Sequence, residues 1–149
     1  MSADFNAVWC RVTGTGTTDN EALLLRRWME NEAASARLFS SLARQSRDSG
    51  TREVLFGISR REQRHWRALR TFHYLRSGKK EHAEKEKPVE CRPLLQTLRQ
   101  QYEAITEQAE GYDRAANQAR PDLRELLGAL HDEELRTAEE LRALVGRLL

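Results

Sequence analysis

Apolar side chains recur every three or four residues through four long stretches of this 149-residue chain. This is the period of amphipathic helices. The first stretch runs from about residue 20 to 47 and the second from about 51 to 77. The third begins at Pro93, and the fourth follows a break at residues 120–122. A chain of this length can bury a core without disulfides or metals. The pattern therefore predicts an all-α fold built as a four-helix bundle.

The connections between the predicted helices differ in length. The first and third have about three residues, whereas the second is the charged, lysine-rich segment 78–91. Its fourteen residues can reach about 46 Å when extended, and a helix of about 27 residues is about 40 Å long. We therefore expect an N-terminal segment over 1–19 and a bundle over 20–149, in which two helical hairpins are joined by a long crossover at 78–91. A loose loop in a simple up-and-down bundle is the alternative.

The composition excludes several classes of protein. The formal net charge is only +2, so nucleic acid is not an expected partner. Cys10 and Cys91 are the only cysteines, which excludes a disulfide framework and a rubredoxin-type or zinc-ribbon module. Two isolated cysteines suit a reducing compartment.

No segment of the sequence reads as a membrane span or a signal peptide. The longest aliphatic run is residues 23–25, far below the roughly 20 residues that a bilayer requires. The first residues also lack the basic start and apolar run of a secretory signal. We therefore expect a cytoplasmic protein without a membrane partner.

Four polar residues stand inside the apolar stripes. Glu32 lies on the first predicted helix, and Glu62 and His65 form a Glu-x-x-His on the second. Residues three apart share one face of a helix, so a carboxylate and an imidazole at this spacing can bind one metal ion. Glu134 has the same setting on the fourth helix. A carboxylate in a core is costly unless it is paired or bound to a cation.

An internal repeat supports the choice of Glu62 and Glu134 as candidate site residues. The pattern Ile58-x3-Glu62-x6-Leu69 aligns without a gap with Leu130-x3-Glu134-x6-Leu141. The preceding helices align in the same way, with Leu25, Phe39 and Ala43 matching Leu98, Tyr112 and Ala116.

Residues 32–65 resemble the first hairpin of rubrerythrin-type ferritin-like domains. The likeness rests on Glu32, Phe39, Ile58 and the Glu62-x-x-His65 motif, and it continues more faintly through 94–144. The resemblance implies a ferritin-like bundle and a dimetal centre used in peroxide reduction or iron oxidation. It also implies that Glu32, Glu62, His65 and Glu134 are metal ligands. In that pattern Glu62 and Glu134 bridge the two metal ions.

The second half departs from that family pattern. Ile105 and Thr137 stand where the family places a glutamate and a histidine ligand. We therefore expect one divalent metal ion per chain, held by three carboxylates and one imidazole, with iron as the first choice and manganese or zinc as alternatives. His131 lies one turn before Glu134 and is a candidate replacement for the lost histidine.

The resulting hypothesis is a rubrerythrin-like metalloprotein that retains part of a dimetal site and acts as an oxidoreductase on peroxide or iron. Without a rubredoxin-type module, such turnover needs an external electron donor. An exposed apolar stripe on long helices would favour a homodimer. The alternative is a non-enzymatic scaffold whose buried glutamates and histidine form a metal-free hydrogen-bond network. His73 and His82 lie near the charged linker and are interpreted as surface residues. The arginines of the second helix form a basic face that is interpreted as solvated, and a nucleic-acid or phosphate surface is the alternative.

Overall fold

A computed structural model of the chain describes residues 15–81, 89 and 92–149, with side chains from residue 20 onward. These residues contain four helices and no strand. The helices are α1 (Thr15–Gln45), α2 (Ser49–Ser77), α3 (Leu94–Ala116) and α4 (Pro121–Leu148). The helices pack as two pairs, α1 with α2 and α3 with α4. The predicted all-α class is confirmed, and this pairing is the one expected of a four-helix bundle.

The first compact unit contains the hairpin of α1 and α2. The Ser59 hydroxyl donates a hydrogen bond of 2.7 Å to the backbone carbonyl of Ala36. His65, further along α2, faces Glu32, which lies earlier on α1. Residue numbers therefore rise along α2 as they fall along α1, and the two helices are antiparallel. The Asp48 carboxylate begins α2 by accepting a 2.7 Å hydrogen bond from the backbone N–H of the third helical residue, as an N-cap should.

The second compact unit contains α3 and α4. Only residues 117–120 separate the two helices. The Arg124 guanidinium closes this turn, because it donates hydrogen bonds to the backbone carbonyls of Ala119 at 2.8 Å and Ala116 at 3.3 Å. Pro121 is the first residue of α4, a position where its fixed φ suits the helix and its missing N–H costs nothing.

The predicted apolar stripes form the buried faces of all four helices. The side chains that are less than 2% exposed include Leu25, Phe39, Leu55, Ile58 and Leu69 in the first hairpin, and Leu98, Tyr112, Leu127, Leu141 and Leu144 in the second. Leu148 continues the apolar spacing of Leu141 and Leu144 along α4 but is 40% exposed, because it is the last helical residue.

The largest difference from the predicted helix ends is at the start of α1, whereas the other ends differ by about two residues or less. The first helix begins at Thr15 rather than near residue 20. Each residue added to an existing turn gains a backbone hydrogen bond, which lets α1 extend past its apolar stripe. The predicted end of α2 at Gly78 is confirmed. Gly78 adopts φ 73°, a left-handed conformation that glycine reaches without strain.

Several predictions fall outside the described residues. These are the N-terminal segment as far as residue 14, the crossover over 82–88 and 90–91, both cysteines and His82. Within the described chain, no helix combines the length and apolar character that crossing a bilayer demands.

Candidate metal centre

Glu32 occupies a core position of α1. Its stripe also contains the buried Leu25, Trp28, Ala36 and Phe39, and the glutamate itself is 1% exposed. The helical period that buries these apolar neighbours also forces the carboxylate inward.

Glu62 and His65 lie one turn apart on the buried face of α2. They are 1% and 3% exposed, and the fully buried Ile58 and Leu69 flank them in the stripe. The hairpin thus brings together the three residues that the sequence selects from its first half.

The three side chains are close enough to share one ion. Each of Glu32, Glu62 and His65 offers a ligand atom that lies within 4.8 Å of the other two. His65 Nδ1 lies 3.4 Å from Glu32 Oε1, longer than the usual N–H···O hydrogen bond of about 2.7–3.2 Å. Two ligand atoms bound tetrahedrally at about 2.1 Å would be about 3.4 Å apart, so this spacing matches one edge of a metal site.

The charges of this group suit a divalent cation. Two ionised carboxylates beside one imidazole keep a net negative charge even when the imidazole is protonated. A buried net charge is expensive in a medium of low polarisability. A divalent ion bound to two carboxylates and a neutral imidazole removes that excess, and carboxylate oxygen with imidazole nitrogen is a usual ligand set for iron, manganese and zinc.

The fourth predicted ligand, Glu134, lies in the second hairpin. It is completely buried on α4, in the stripe that contains Leu127, Leu130 and Leu141. Among the described residues, Glu134 is therefore a buried carboxylate of the second hairpin, and its oxygens are of the type that binds a divalent metal ion.

His131 does not share the burial of Glu134. Its side chain is 27% exposed, and its Nδ1 lies 3.0 Å from Oδ1 of the exposed Asp132. This pairing turns the imidazole toward a surface carboxylate, which argues against His131 as a replacement ligand.

Two residues of the second hairpin that were weighed as ligand positions, Ile105 and Thr137, are both buried. Ile105 is 3% exposed and Thr137 is completely buried. Glu103 and Glu107, which flank Ile105, are exposed. The nearby Gln108 side chain donates a 3.0 Å hydrogen bond to the hydroxyl of Tyr112. The second hairpin thus buries an alkyl group at position 105 and a hydroxyl group at position 137.

The prediction that His73 is a surface residue is wrong. Its side chain is 3% exposed, and its Nε2 lies 3.9 Å from Oε1 of Glu81, which in turn lies 3.7 Å from Nη1 of Arg26. Burial lowers the pKa of His73 below 6.5, although the Glu81 carboxylate acts in the opposite direction. The signal was present in the sequence, because His73 follows the buried Leu69 by four residues.

Comparison of the chain with protein-family models, characterised proteins and solved structures finds no match.

Proposed function

We propose that this protein binds one divalent metal ion per chain, with iron as the first choice and manganese or zinc as alternatives. The observation that supports this most strongly is the buried group on the first hairpin, where Glu32, Glu62 and His65 offer ligand atoms within 4.8 Å of one another. An ion there would offset the cost of burying two carboxylates and would fix the positions of α1 and α2 relative to each other.

Glu134 is proposed as the fourth ligand. Two observations support it. The carboxylate is completely buried, and the internal repeat gives Glu134 the position on α4 that Glu62 has on α2. A third carboxylate beside one imidazole would complete a four-ligand set of hard oxygen donors and one nitrogen.

The proposed stoichiometry of one ion follows from Ile105 and Thr137. An isoleucine cannot bind a metal, and a neutral threonine hydroxyl is a poor ligand compared with a carboxylate or an imidazole. Because both positions are buried, an incoming ligand from solvent would have to displace packed side chains. We therefore propose that only one of the two metal positions of a rubrerythrin-type site is kept.

We further propose that the bound metal ion supports redox chemistry. With iron or manganese bound, the site would act on peroxide or on iron itself, in the manner that the resemblance to rubrerythrin-type domains implies. The sequence contains no Cys-x-x-Cys pair, so electrons would come from an external donor. Peroxide consumption by the metal-loaded protein with a chemical reductant, measured against Glu62→Ala, tests this part separately from metal binding.

Metal content tests the main proposal. The full chain is purified under native conditions, loaded anaerobically with Fe²⁺ or Mn²⁺, desalted and analysed for metal per chain. We expect about one ion per chain in the wild type and a large loss in Glu32→Ala, Glu62→Ala, His65→Ala and Glu134→Ala. Glu30→Ala and His131→Ala are matched controls, because both residues lie beside a proposed ligand but are more exposed, and both should retain the ion.

Other results of the metal analysis would change or refute the proposed site. Two ions per chain would show that our interpretation of Ile105 and Thr137 is wrong. Loss of metal in the first three variants but not in Glu134→Ala would restrict the site to the first hairpin. No metal in the wild type after loading would refute the proposal.

A metal-free polar core is the second candidate, and the 3.4 Å approach of His65 Nδ1 to Glu32 Oε1 is the observation that favours it. A protonated imidazole there would form a buried ion pair, and the bundle would serve as a scaffold without metal chemistry. This candidate predicts that loading with metal leaves both metal content and thermal stability unchanged.

A further inference from the structure

Two helices carry exposed rows of opposite charge. The basic row is Arg60, Arg64 and Arg67 on α2, and the acidic row is Glu103, Glu107 and Glu110 on α3. All six side chains are exposed.

The two rows have the same spacing. In each, the charged residues follow one another by four and then three positions, which places them on one face of the helix within about 60°. Each row spans seven residue steps, or about 10 Å along its helix. Two such helices can lie side by side in parallel or antiparallel orientation. In either case each arginine faces a glutamate with an offset along the helix axis of at most one residue, or roughly 1.5 Å.

The basic row is not neutralised by its own helix. Between Arg60 and Lys80 the sequence has one acidic residue, Glu62, and that residue is buried on the opposite face. Among the described residues, the three arginines of the row form no ion pair. Over its whole length, α2 contains seven arginines and two glutamates.

The acidic row has the complementary excess. Helix α3 contains four acidic residues and two arginines. One of these arginines, Arg114, lies 3.9 Å from Glu110, but both side chains are more than 60% exposed, so the contact is loose and solvated. Such a surface pair contributes little and is easily exchanged for another.

We infer that the basic row of one copy of this chain binds the acidic row of a second copy, so that the protein self-associates through complementary charge. A second copy fits the observations better than a polyanion, because the chain supplies both rows at equal length and spacing while its net charge is only +2. Exposed ion pairs are individually weak and are screened by salt. The association is therefore reversible and sensitive to ionic strength, and it does not depend on the proposed metal site.

Charge reversal in two variants tests the inference. The first, Arg60→Glu with Arg64→Glu and Arg67→Glu, has two acidic rows. The second, Glu103→Arg with Glu107→Arg and Glu110→Arg, has two basic rows. Each is monomeric alone by our inference, whereas an equimolar mixture associates, because every acidic row then meets a basic row on the other variant. A matched control, Arg27→Glu with Arg44→Glu and Arg47→Glu, reverses three exposed arginines outside the row and should associate as the wild type does.

Sedimentation velocity of the full chains measures the result, with circular dichroism to verify that each variant is helical. We expect the wild type to associate at about 0.05 M salt and at least about tenfold more weakly at about 0.5 M. A wild type that is monomeric at low salt overturns the inference, as does a mixture that fails to associate. Association that is insensitive to salt would instead indicate an apolar interface. A monomeric wild type that binds a single-stranded oligonucleotide through the basic row would show a polyanion surface, and it would also overturn the inference.

Discussion

Metal binding should raise the thermal stability of the wild type and not that of His65→Ala. An ion that binds only the folded chain stabilises it by RT ln(1 + [M]/Kd), which is about 2.7 kcal/mol at a metal concentration of 100 Kd. Unfolding of 149 residues at about 2.1 cal/mol/K per residue has an entropy of about 0.3 kcal/mol/K. The expected rise in Tm is therefore about 9 °C.

The same arithmetic gives the effect of the substitution. His65 is the only imidazole in the candidate group, and its loss leaves a site of carboxylates alone. If the affinity falls about 100-fold, the same metal concentration equals the new Kd, and the stabilisation is RT ln 2, or about 0.4 kcal/mol. The Tm of His65→Ala should then rise by only about 1 °C.

Differential scanning calorimetry under anaerobic conditions, with Mn²⁺ as a probe that resists oxidation, measures both shifts against a chelator. Removal of a buried side chain lowers stability by itself, so the quantity compared is the metal-dependent shift and not the absolute Tm. His131→Ala is the control and should keep the full shift, because its imidazole pairs with a surface aspartate. An equal shift in His65→Ala and the wild type would refute the assignment of His65 as a ligand.

Three further predictions concern the hairpin that positions the site. Asp48→Ala removes the N-cap of α2 and should lower the free energy of unfolding in urea by about 1 kcal/mol; no change would show that water replaces the cap. Ser59→Ala removes the buried hydrogen bond between α2 and α1 and should cost about 1 kcal/mol in the same assay, whereas an exposed serine, Ser49, should be neutral. Burial lowers the pKa of His73, so the unfolded chain binds a proton first. Stability should therefore fall as the pH drops below about 6.5, and His73→Gln should abolish that fall; an unchanged slope would assign the effect to other groups.

The buried faces could be predicted because burial follows the helical period. Leu55, Ile58, Glu62 and Leu69 lie at spacings of three, four and seven, and all four are buried. The same rule contained His73, but the neighbouring charged segment suggested a surface position. The helical period was therefore a better guide to the burial of His73 than the composition of the neighbouring segment. The start of α1 could not be predicted, because residues 15–19 have no apolar period and helix extension there depends on the turns that follow.

The candidate ligands could be predicted as residue types but not as a geometry. Sequence spacing places Glu62 and His65 on one face, yet only the register of α1 against α2 decides whether Glu32 is opposite them. That register depends on how buried side chains interdigitate across the hairpin, and sequence periodicity does not contain this information. The 3.4 Å distance between His65 and Glu32 is thus a result of the structure alone.

The two proposals concern opposite faces of α2, and this separation gives a final prediction. Arg60, Arg64 and Arg67 lie roughly 140–200° around the helix from Glu62, so the basic row points outward where the candidate ligand points inward. Removal of metal with a chelator should lower the Tm of the wild type but leave its salt-dependent sedimentation unchanged. Conversely, the variant with two acidic rows should bind the same amount of metal as the wild type. If chelation dissociated the wild type at low salt, the metal would be needed for association, and the two faces could not act independently.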